Sequence, residues 1–245
     1  LVNRLINRTQ QIKVEKKTSC LKNPEKILSF NKVTGHSVNF PIAETCLPTA
    51  VCLKTCYYAK GANSWISSLT QQQRIYNYVF NDPVKFAHRV ALEYDKNQLN
   101  YLRWNGGGDL FPQSIAALNY LGKIRPDIIL WVVTRIPEMA VQVDDLPNVY
   151  VHFSLDRHSF SRRKKFLSLN PKTKKYFFSY QCDKHEKPNP RDMEGISVVF
   201  FDTYKPTCDL EQFPEEIICP LNLRDDISNT CESCRRCFNG EAISN

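Results

Sequence analysis

The sequence predicts an α/β protein built around a parallel sheet, and three observations support this fold class. Strand-like apolar runs alternate with helix-length amphipathic segments, and polar residues follow the runs, as they do at the carboxyl ends of parallel strands. The 245 residues suffice for one large domain, or for one domain with a small appendix. Five or six predicted strands are too few for an eight-stranded barrel. We therefore expect a partial barrel or an open doubly wound sheet.

The composition and the residue pattern of the chain predict three segments. Residues 1–40 are expected to form an irregular basic lead-in with a few short strands, residues 41–215 the α/β domain, and residues 216–245 a cysteine-rich extension. The chain holds no apolar stretch near the roughly 18 residues that a membrane helix needs. Its start lacks the apolar centre of a signal peptide. The sequence therefore predicts a cytoplasmic protein that does not contact a membrane.

The elements of the α/β domain begin with two helices, "SSLTQQQRIYNYVF" and "DPVKFAHRVALEYDKNQ". Asp82 can cap the second helix and Pro83 suits its first turn. Val84, Ala87, Val90, Ala91 and Tyr94 recur at helical spacing and are expected on one buried face. The alternating part then runs through strand "YLRWNGGGD", helix "FPQSIAALNYLGKI", strand "DIILWVVT", short helix "IPEMAVQV", strand "NVYVHFSLD", the helical or loop segment "SFSRRKKFLSLN", and strands "KYFFSYQC" and "GISVVFFDTY".

A polar stretch follows each predicted strand, and parallel α/β folds place their chemistry at this end of the sheet. Five such stretches in succession favour a functional site there rather than ordinary polar loops. The stretches are Asn105 to Asp109, Thr134 with Arg135, Ser154 to Asp156, Gln181 to Asp183, and Asp202 to Tyr204.

A first group of cysteines, Cys46, Cys52 and Cys56, has the spacing C-x5-C-x3-C. Grouped thiolates in a reducing cytosol favour a metal over disulfides. Zinc needs four ligands, and His36 or His88 could supply the fourth. A four-iron cluster held by three thiolates instead leaves one iron open for a substrate or cofactor. Both interpretations stand at this point.

A second group, Cys219, Cys231, Cys234 and Cys237, has the spacing C-P-x10-C-x2-C-x2-C and a full set of four ligands. The pattern is typical of ferredoxin-like clusters, and a zinc ribbon is the alternative. Arg235 and Arg236 would offset the charge of a cluster there. Of the remaining cysteines, Cys20 and Cys208 are expected to be structural, whereas Cys182 follows a strand and could face the site.

The three-cysteine loop, the "YYAKG" after it and the strand "RWNGGGDLF" resemble the radical S-adenosylmethionine superfamily. "GGGDLF" resembles the Gly-Gly-Glu-Pro stretch of that superfamily, with Asp109 at the position of the glutamate. "VVTRIPE" and "HFSLD" resemble its third and fourth barrel strands. The commonest spacing in the superfamily is C-x3-C-x2-C, and this loop is longer. The resemblance spans roughly residues 30 to 240 and is strongest toward phage- and plasmid-encoded members.

The resemblance implies a partial (βα)6-type parallel barrel with a small C-terminal cluster-binding extension. It implies a 4Fe–4S cluster on the first cysteine group, S-adenosylmethionine on the open iron, and a second 4Fe–4S cluster, or zinc, on the second group. Asp156 and Cys182 are candidates for a catalytic role. The implied cofactor contacts are Tyr57, Asn105, Gly106, Gly107, Gly108, Asp109, Thr134 and Ser154.

The activity that the resemblance implies is reductive cleavage of S-adenosylmethionine, with electrons from a donor such as flavodoxin or ferredoxin. The net charge of +8 favours a nucleotide or nucleic acid as the substrate over a neutral metabolite. Two other interpretations remain. One is a zinc protein that binds nucleic acid through its basic and aromatic residues, and the other is an iron–sulfur electron carrier without catalysis.

Overall fold

The structure, a computed structural model, describes residues 2–183, 193–200, 212–223 and 230–238. The predicted stretch Asp202 to Tyr204 and Cys208 lie outside these residues. No helix in the described ranges is long and apolar enough to cross a membrane. The helices are Val2–Glu15 (α1), Lys17–Cys20 (α2), Ile42–Thr45 (α3), Ala50–Thr55 (α4), Ile66–Asn81 (α5), Pro83–Lys96 (α6), Pro112–Ile124 (α7), Pro137–Ala140 (α8) and Phe160–Ser168 (α9), followed by the single turns Pro220–Leu223 and Cys231–Cys234.

The described strands form one seven-stranded sheet whose spatial order follows the chain order. The first pair is antiparallel and every later pair is parallel. The prediction of an α/β fold with a parallel sheet is confirmed, and the sheet is not closed by pairing between its first and last described strands. The strands are Leu28–Asn31 (β1), Gly35–Asn39 (β2), Leu102–Gly107 (β3), Leu130–Thr134 (β4), Val149–Leu155 (β5), Tyr176–Gln181 (β6) and Ile196–Phe200 (β7).

The helices α5, α6, α7 and α9 all pack on one face of this sheet, which we call the outer face. Because successive strands are neighbours and such crossovers are right-handed as a rule, the helices that connect β2 to β6 are expected on the same side of the sheet. The alternative of a doubly wound sheet is therefore wrong, because that fold needs a reversal in strand order and helices on both faces. The buried outer-face residues are Val38, Leu102, Trp104, Leu130, Val132, Val149, Val151, Phe153, Phe178 and Tyr180.

Helix α6 follows its predicted local signals. The Asp82 carboxylate accepts a hydrogen bond from the backbone N–H of Lys85 at 2.9 Å, and Pro83 occupies the first turn. The buried face differs in one residue, because Val84 is 44% exposed and Phe86 is fully buried. Phe86 contacts Trp104 edge to face at 6.0 Å between ring centroids, which fixes α6 against β3.

The prediction of an irregular lead-in over residues 1–40 is wrong for its first half. Residues 2–15 form α1, and its buried positions Leu5, Thr9 and Ile12 recur at helical spacing. The expected short strands are present as β1 and β2. Strand β2 runs parallel to β3 and begins the parallel part of the sheet, so the sheet starts before residue 41.

Candidate functional site

The sheet face opposite the helices, the inner face, is polar and buried. Arg103, Trp131 and Tyr150 lie side by side on β3, β4 and β5. One layer further along the strands, Val133 is beside His152, and beyond that Ser154 is beside Ser179. Because polar side chains are seldom enclosed without a purpose, this face is the first candidate for a binding surface. Its buried polar residues are Ser37, Asn39, Asn105, His152, Ser154, Ser179 and Gln181.

The glycines at the end of β3 allow other parts of the protein to approach the backbone closely. A Cβ atom on Gly106 would lie 2.4 Å from both Ser37 and Asn39, and one on Gly107 would lie 2.3 Å from the ring of Tyr58. Gly108 has a φ of +82°, which favours glycine. Because Gly106 and Gly107 have no side chains, β2 and the tyrosines that follow Cys56 can pack directly against β3.

Tyr57, predicted as a cofactor contact, donates a hydrogen bond from its hydroxyl to the carbonyl of Gly106. Its side chain is still 41% exposed, so one part of the ring remains available to a ligand. Asn105 has a φ of +63°, uncommon for a residue with a side chain, and such strain clusters at functional sites. Its Nδ2 donates to the carbonyl of Val133 at 3.0 Å, whereas its Oδ1 has no hydrogen-bond partner among the described residues.

The first cysteine group lies on a short turn-rich segment, residues 45–58, which we call the cysteine loop. Cys46 directly follows α3, Cys52 lies in α4 and Cys56 ends it. Thr49 caps α4 and accepts a hydrogen bond from the backbone N–H of Cys52 at 3.2 Å. Cys52 and Cys56 are four residues apart and project from the same side of the helical turn.

Three threonines of the cysteine loop hold it against the carboxyl ends of the strands. Thr45 accepts a hydrogen bond from the backbone N–H of Asp109 at 2.9 Å, and Thr49 donates to the Asp156 carboxylate. Thr55 accepts a hydrogen bond from the Gln181 side chain at 2.6 Å. The loop is thus attached to the ends of β3, β5 and β6, where the polar stretches were predicted to converge.

Arg135 connects these attachment points. Its guanidinium donates to Asp156 and to Gln181, each at 2.5 Å, and its backbone N–H donates to Asp109 at 3.1 Å. Thr134 also donates to Asp109, at 2.6 Å. Asp109 and Thr134 were predicted as cofactor contacts, and the structure shows them bound to each other instead. Asp156, a candidate catalytic group, is fully buried and serves as the ion-pair partner of Arg135.

Burial makes the ionised forms of the acidic and thiol side chains around the cysteine loop unfavourable. Burial raises the pKa of Asp109 to about 6, although its hydrogen bonds from Thr134, Leu110 and Arg135 oppose the shift. Burial also raises the pKa of Cys46 well above its usual range, and the nearby charges of Asp109, Cys52 and Cys56 add to this. The pKa of Cys52 is raised by burial and by Cys56, while Arg135 opposes the shift. These mutual effects show that the three cysteines share one desolvated site.

The second cysteine group, the C-terminal cysteine group, also gathers in one place. Burial, together with the nearby Cys219 and Cys234, raises the pKa of Cys231 to about 12, while Arg103 opposes the shift. The pKa of Cys237 is raised well above its usual range by burial and by the other three cysteines. Four partly buried thiols held together would resist ionisation unless a cation compensated their charge, and a bound metal supplies that compensation.

The C-terminal cysteine group bridges the two edges of the sheet. The backbone N–H of Cys219 donates to Val199 of β7 at 2.8 Å, and that of Cys231 donates to Val33, between β1 and β2, at 2.9 Å. Phe238 stacks on Tyr101 with 4.4 Å between ring centroids. Cys219 and Cys231 therefore bond to opposite edges of the sheet, and Phe238 lies beside the start of β3.

Arg236 fits its predicted role as a charge partner of the C-terminal cysteine group, because its charge opposes the rise in the pKa of Cys219 that burial causes. Arg236 donates to the carbonyls of Glu216 and Ile218 at 2.8 and 3.1 Å, and Arg235 donates to the carbonyl of Glu232 at 3.1 Å. They stabilise the local backbone.

No group of three or more cysteine, histidine or acidic residues within the described ranges is arranged so that it could hold a metal ion. His36 contacts Phe30 and His88 bonds to Tyr120, so neither completes a site with Cys46. A four-iron cluster spaces its ligands more widely than a single ion does, because each thiolate binds a different iron. The cysteines of both groups are thiols rather than disulfides.

Cys182 does not face the inner surface. It is 2% exposed and packs in the hydrophobic core with the outer-face residues, since it follows the inward-facing Gln181 by one position. This position gives no support to the predicted catalytic role of Cys182, which stays a prediction.

Arg135 and Gln181 lie in stretches that the sequence placed at the site, but their hydrogen bonds around the cysteine loop were not predicted. The residues that the sequence analysis missed are the three threonines that hold the loop, Thr45, Thr49 and Thr55. Each threonine precedes a cysteine by one or three positions, and Thr49 precedes the helical turn where capping residues are favoured. That pattern was a usable signal.

No curated protein and no solved structure matches the chain. The family model described as gene product 88 matches residues 3–240, nearly the whole chain. The chain therefore belongs to the gene product 88 family.

Proposed function

We propose that the chain is a radical S-adenosylmethionine enzyme with a partial (βα)6-type barrel and a second cluster in its C-terminal cysteine group. The observation that carries the proposal is the position of Cys46, Cys52 and Cys56. They share one buried site at the carboxyl ends of the parallel strands, where such folds place their chemistry. Strands β2 to β7 follow one another in parallel order with the helices outside, which suits a partial barrel.

The residues present fit a four-iron cluster with one open position. Among the described cysteines, only Cys52 and Cys56 act on Cys46, so the set offers three thiolates. When bound, the cluster would supply the electron that splits the sulfonium of S-adenosylmethionine. The cysteine loop fixes the three thiols, Arg135 lowers the cost of their charge, and the three threonines keep the loop on the sheet.

The predicted contacts with S-adenosylmethionine divide into two sets in the structure. Asn105 and Ser154 lie on the inner face and can reach a ligand there. Asp109 and Thr134 hold the cysteine loop and the strand ends together through hydrogen bonds, and their contact with S-adenosylmethionine stays a prediction. Asp156 holds Arg135 and Thr49 and is a positioning residue. The electron donor, such as flavodoxin or ferredoxin, belongs to the same proposal.

The test is anaerobic reconstitution with iron and sulfide, followed by reduction with S-adenosylmethionine and mass spectrometry of the nucleoside products. We expect about eight irons per chain, four for each cluster, and release of 5′-deoxyadenosine or methylthioadenosine. C52A should retain about four irons and form no nucleoside product. The matched control is C20A, which removes a buried thiol outside both groups and should leave both readouts unchanged.

Two outcomes would refute the proposal. Zinc as the sole metal in oxygen-free protein would point to a zinc protein that binds nucleic acid. Full iron content with no nucleoside product would point to an electron carrier without catalysis.

A further inference from the structure

Four of the nine unpartnered buried side-chain atoms among the described residues lie on the inner face. Arg103 Nε, Asn105 Oδ1, His152 Nε2 and Ser179 Oγ are all buried and make no hydrogen bond with a described residue. Asn105, His152 and Ser179 are 3%, 6% and 0% exposed. A buried polar group without a partner destabilises the fold, so four on one surface call for a ligand or ordered water.

His152 presents a hydrogen-bond donor to this surface. Its Nδ1 accepts a hydrogen bond from Trp131 Nε1–H at 3.2 Å. Burial lowers the pKa of His152 to about 3, so the imidazole is neutral and its proton resides on Nε2. The unpartnered Nε2 is therefore an N–H group that faces no acceptor among the described residues.

Arg103 brings a positive charge to the same place. Its guanidinium lies over the ring of Trp131, with Cζ 4.8 Å from the centroid, and Trp131 is the residue that orients His152. Arg135 has Asp156 as its counter-charge, whereas Arg103 forms no salt bridge with any residue in the described ranges. The Arg103 guanidinium and the His152 Nε2–H group thus both lie beside the Trp131 indole, and no described residue places a hydrogen-bond acceptor between them.

We propose that the inner face binds an oxyanion of the substrate, a carboxylate or a phosphate, through the guanidinium of Arg103 and the Nε2–H group of His152. Guanidinium groups match both oxyanions with paired N–H donors. Ser179 Oγ and Asn105 Oδ1, one or two layers nearer the cysteine loop, would hydrogen-bond the remainder of the molecule. The identification of this molecule as a substrate rests on the proposed function, whereas its binding needs neither reduction nor S-adenosylmethionine.

The competing role for Arg103 is as a counter-charge to the C-terminal cysteine group. Arg103 opposes the pKa shifts of Cys231 and Cys237, so it lies near them. A residue that served only that purpose would alter the properties of bound iron and leave anion affinity unchanged. Measurements on one set of variants separate the two roles.

The experiment is calorimetric titration of inorganic phosphate and, separately, acetate into the oxygen-free, reconstituted and unreduced protein at constant ionic strength. We expect millimolar binding of at least one anion, and the stronger one identifies the source of the oxyanion. R103Q and H152F should each weaken it about tenfold or more, as expected for a lost charge-assisted or buried hydrogen bond. H152Q keeps an N–H donor and should retain most of the affinity.

The matched control is R4Q, which removes the same charge from an exposed position on α1. Equal binding by R103Q, H152F and the unmodified protein would mean an adventitious ion only and overturn the proposal. So would an altered iron reduction potential in R103Q with unchanged anion affinity, or no binding of either anion. Anion binding without nucleoside products would refute the radical chemistry and support this anion site. Nucleoside products without anion binding would support the radical chemistry and refute this anion site.

Discussion

Replacement of His152 by glutamine should make the protein less sensitive to mild acid. The folded pKa of His152 is about 3 and the unfolded value about 6.5. Because the folded pKa is depressed, the stabilisation is fully present above pH 6.5 and is lost as the pH falls toward 3. One pH unit corresponds to about 1.4 kcal/mol, so the unmodified protein should lose about 2 kcal/mol of unfolding free energy from His152 between pH 7 and pH 5.

Asp109 acts in the opposite direction over part of the same range. Burial raises its pKa to about 6, so folding favours its protonated form and stability rises as the pH falls from 6 toward 4. The unmodified protein alone therefore shows only the sum of the two effects. H152Q retains Asp109 and all the cysteines, so the difference between the two proteins isolates His152.

The assay is urea denaturation of both proteins at pH 7, 6 and 5, followed by circular dichroism. We expect the free energies of unfolding to converge as the pH falls, with the gap changing by about 2 kcal/mol in favour of H152Q. The glutamine can still accept the hydrogen bond of Trp131 Nε1–H, which His152 Nδ1 accepts in the structure. Parallel pH profiles for the two proteins would show that His152 is not buried as a neutral imidazole.

Three further substitutions test the packing of the site. G107A should displace the cysteine loop, because its Cβ would lie 2.3 Å from the Tyr58 ring; a lower iron content measures this, and an unchanged iron content would contradict it. E93Q should lower the unfolding free energy by about 1–3 kcal/mol in urea, because the carboxylate accepts backbone N–H groups before β1 at 2.8 Å. C237S should lower the melting temperature of the reconstituted protein and remove about half of its iron, since its cysteine group joins both sheet edges; an unchanged melting temperature would contradict that role.

Local sequence signals were sufficient for most of the fold. Apolar runs such as "DIILWVVT" predicted buried strands because a strand between two covered faces needs apolar residues throughout. Helix α1 was missed because charged and polar residues outnumber its buried positions, although Leu5 and Ile12 keep helical spacing. In that segment the helical spacing of the buried positions Leu5, Thr9 and Ile12 predicts the helix better than the composition does.

The convergence of the site residues could be predicted, but their hydrogen-bond partners could not. Strand ends in a parallel sheet meet at one edge, which brought Asp109 and Asp156 near the cysteine loop as expected. Which donor each carboxylate accepts depends on segments that approach from far along the chain: Thr45 and Asp109 are 64 residues apart, Thr49 and Asp156 are 107 apart. No local pattern specifies such pairs.

The two cysteine groups are attached to the same sheet by different means, and this difference bears on their roles. The first group is held by side-chain hydrogen bonds to strand ends, so the loop is fixed relative to the inner face, as a group that acts on a ligand there requires. The second group is held by backbone bonds to both sheet edges and by the stacking of Phe238 on Tyr101. A cofactor in the second group would join edges that strand pairing leaves open. Its first effect would thus be on the stability of the sheet that carries the first group.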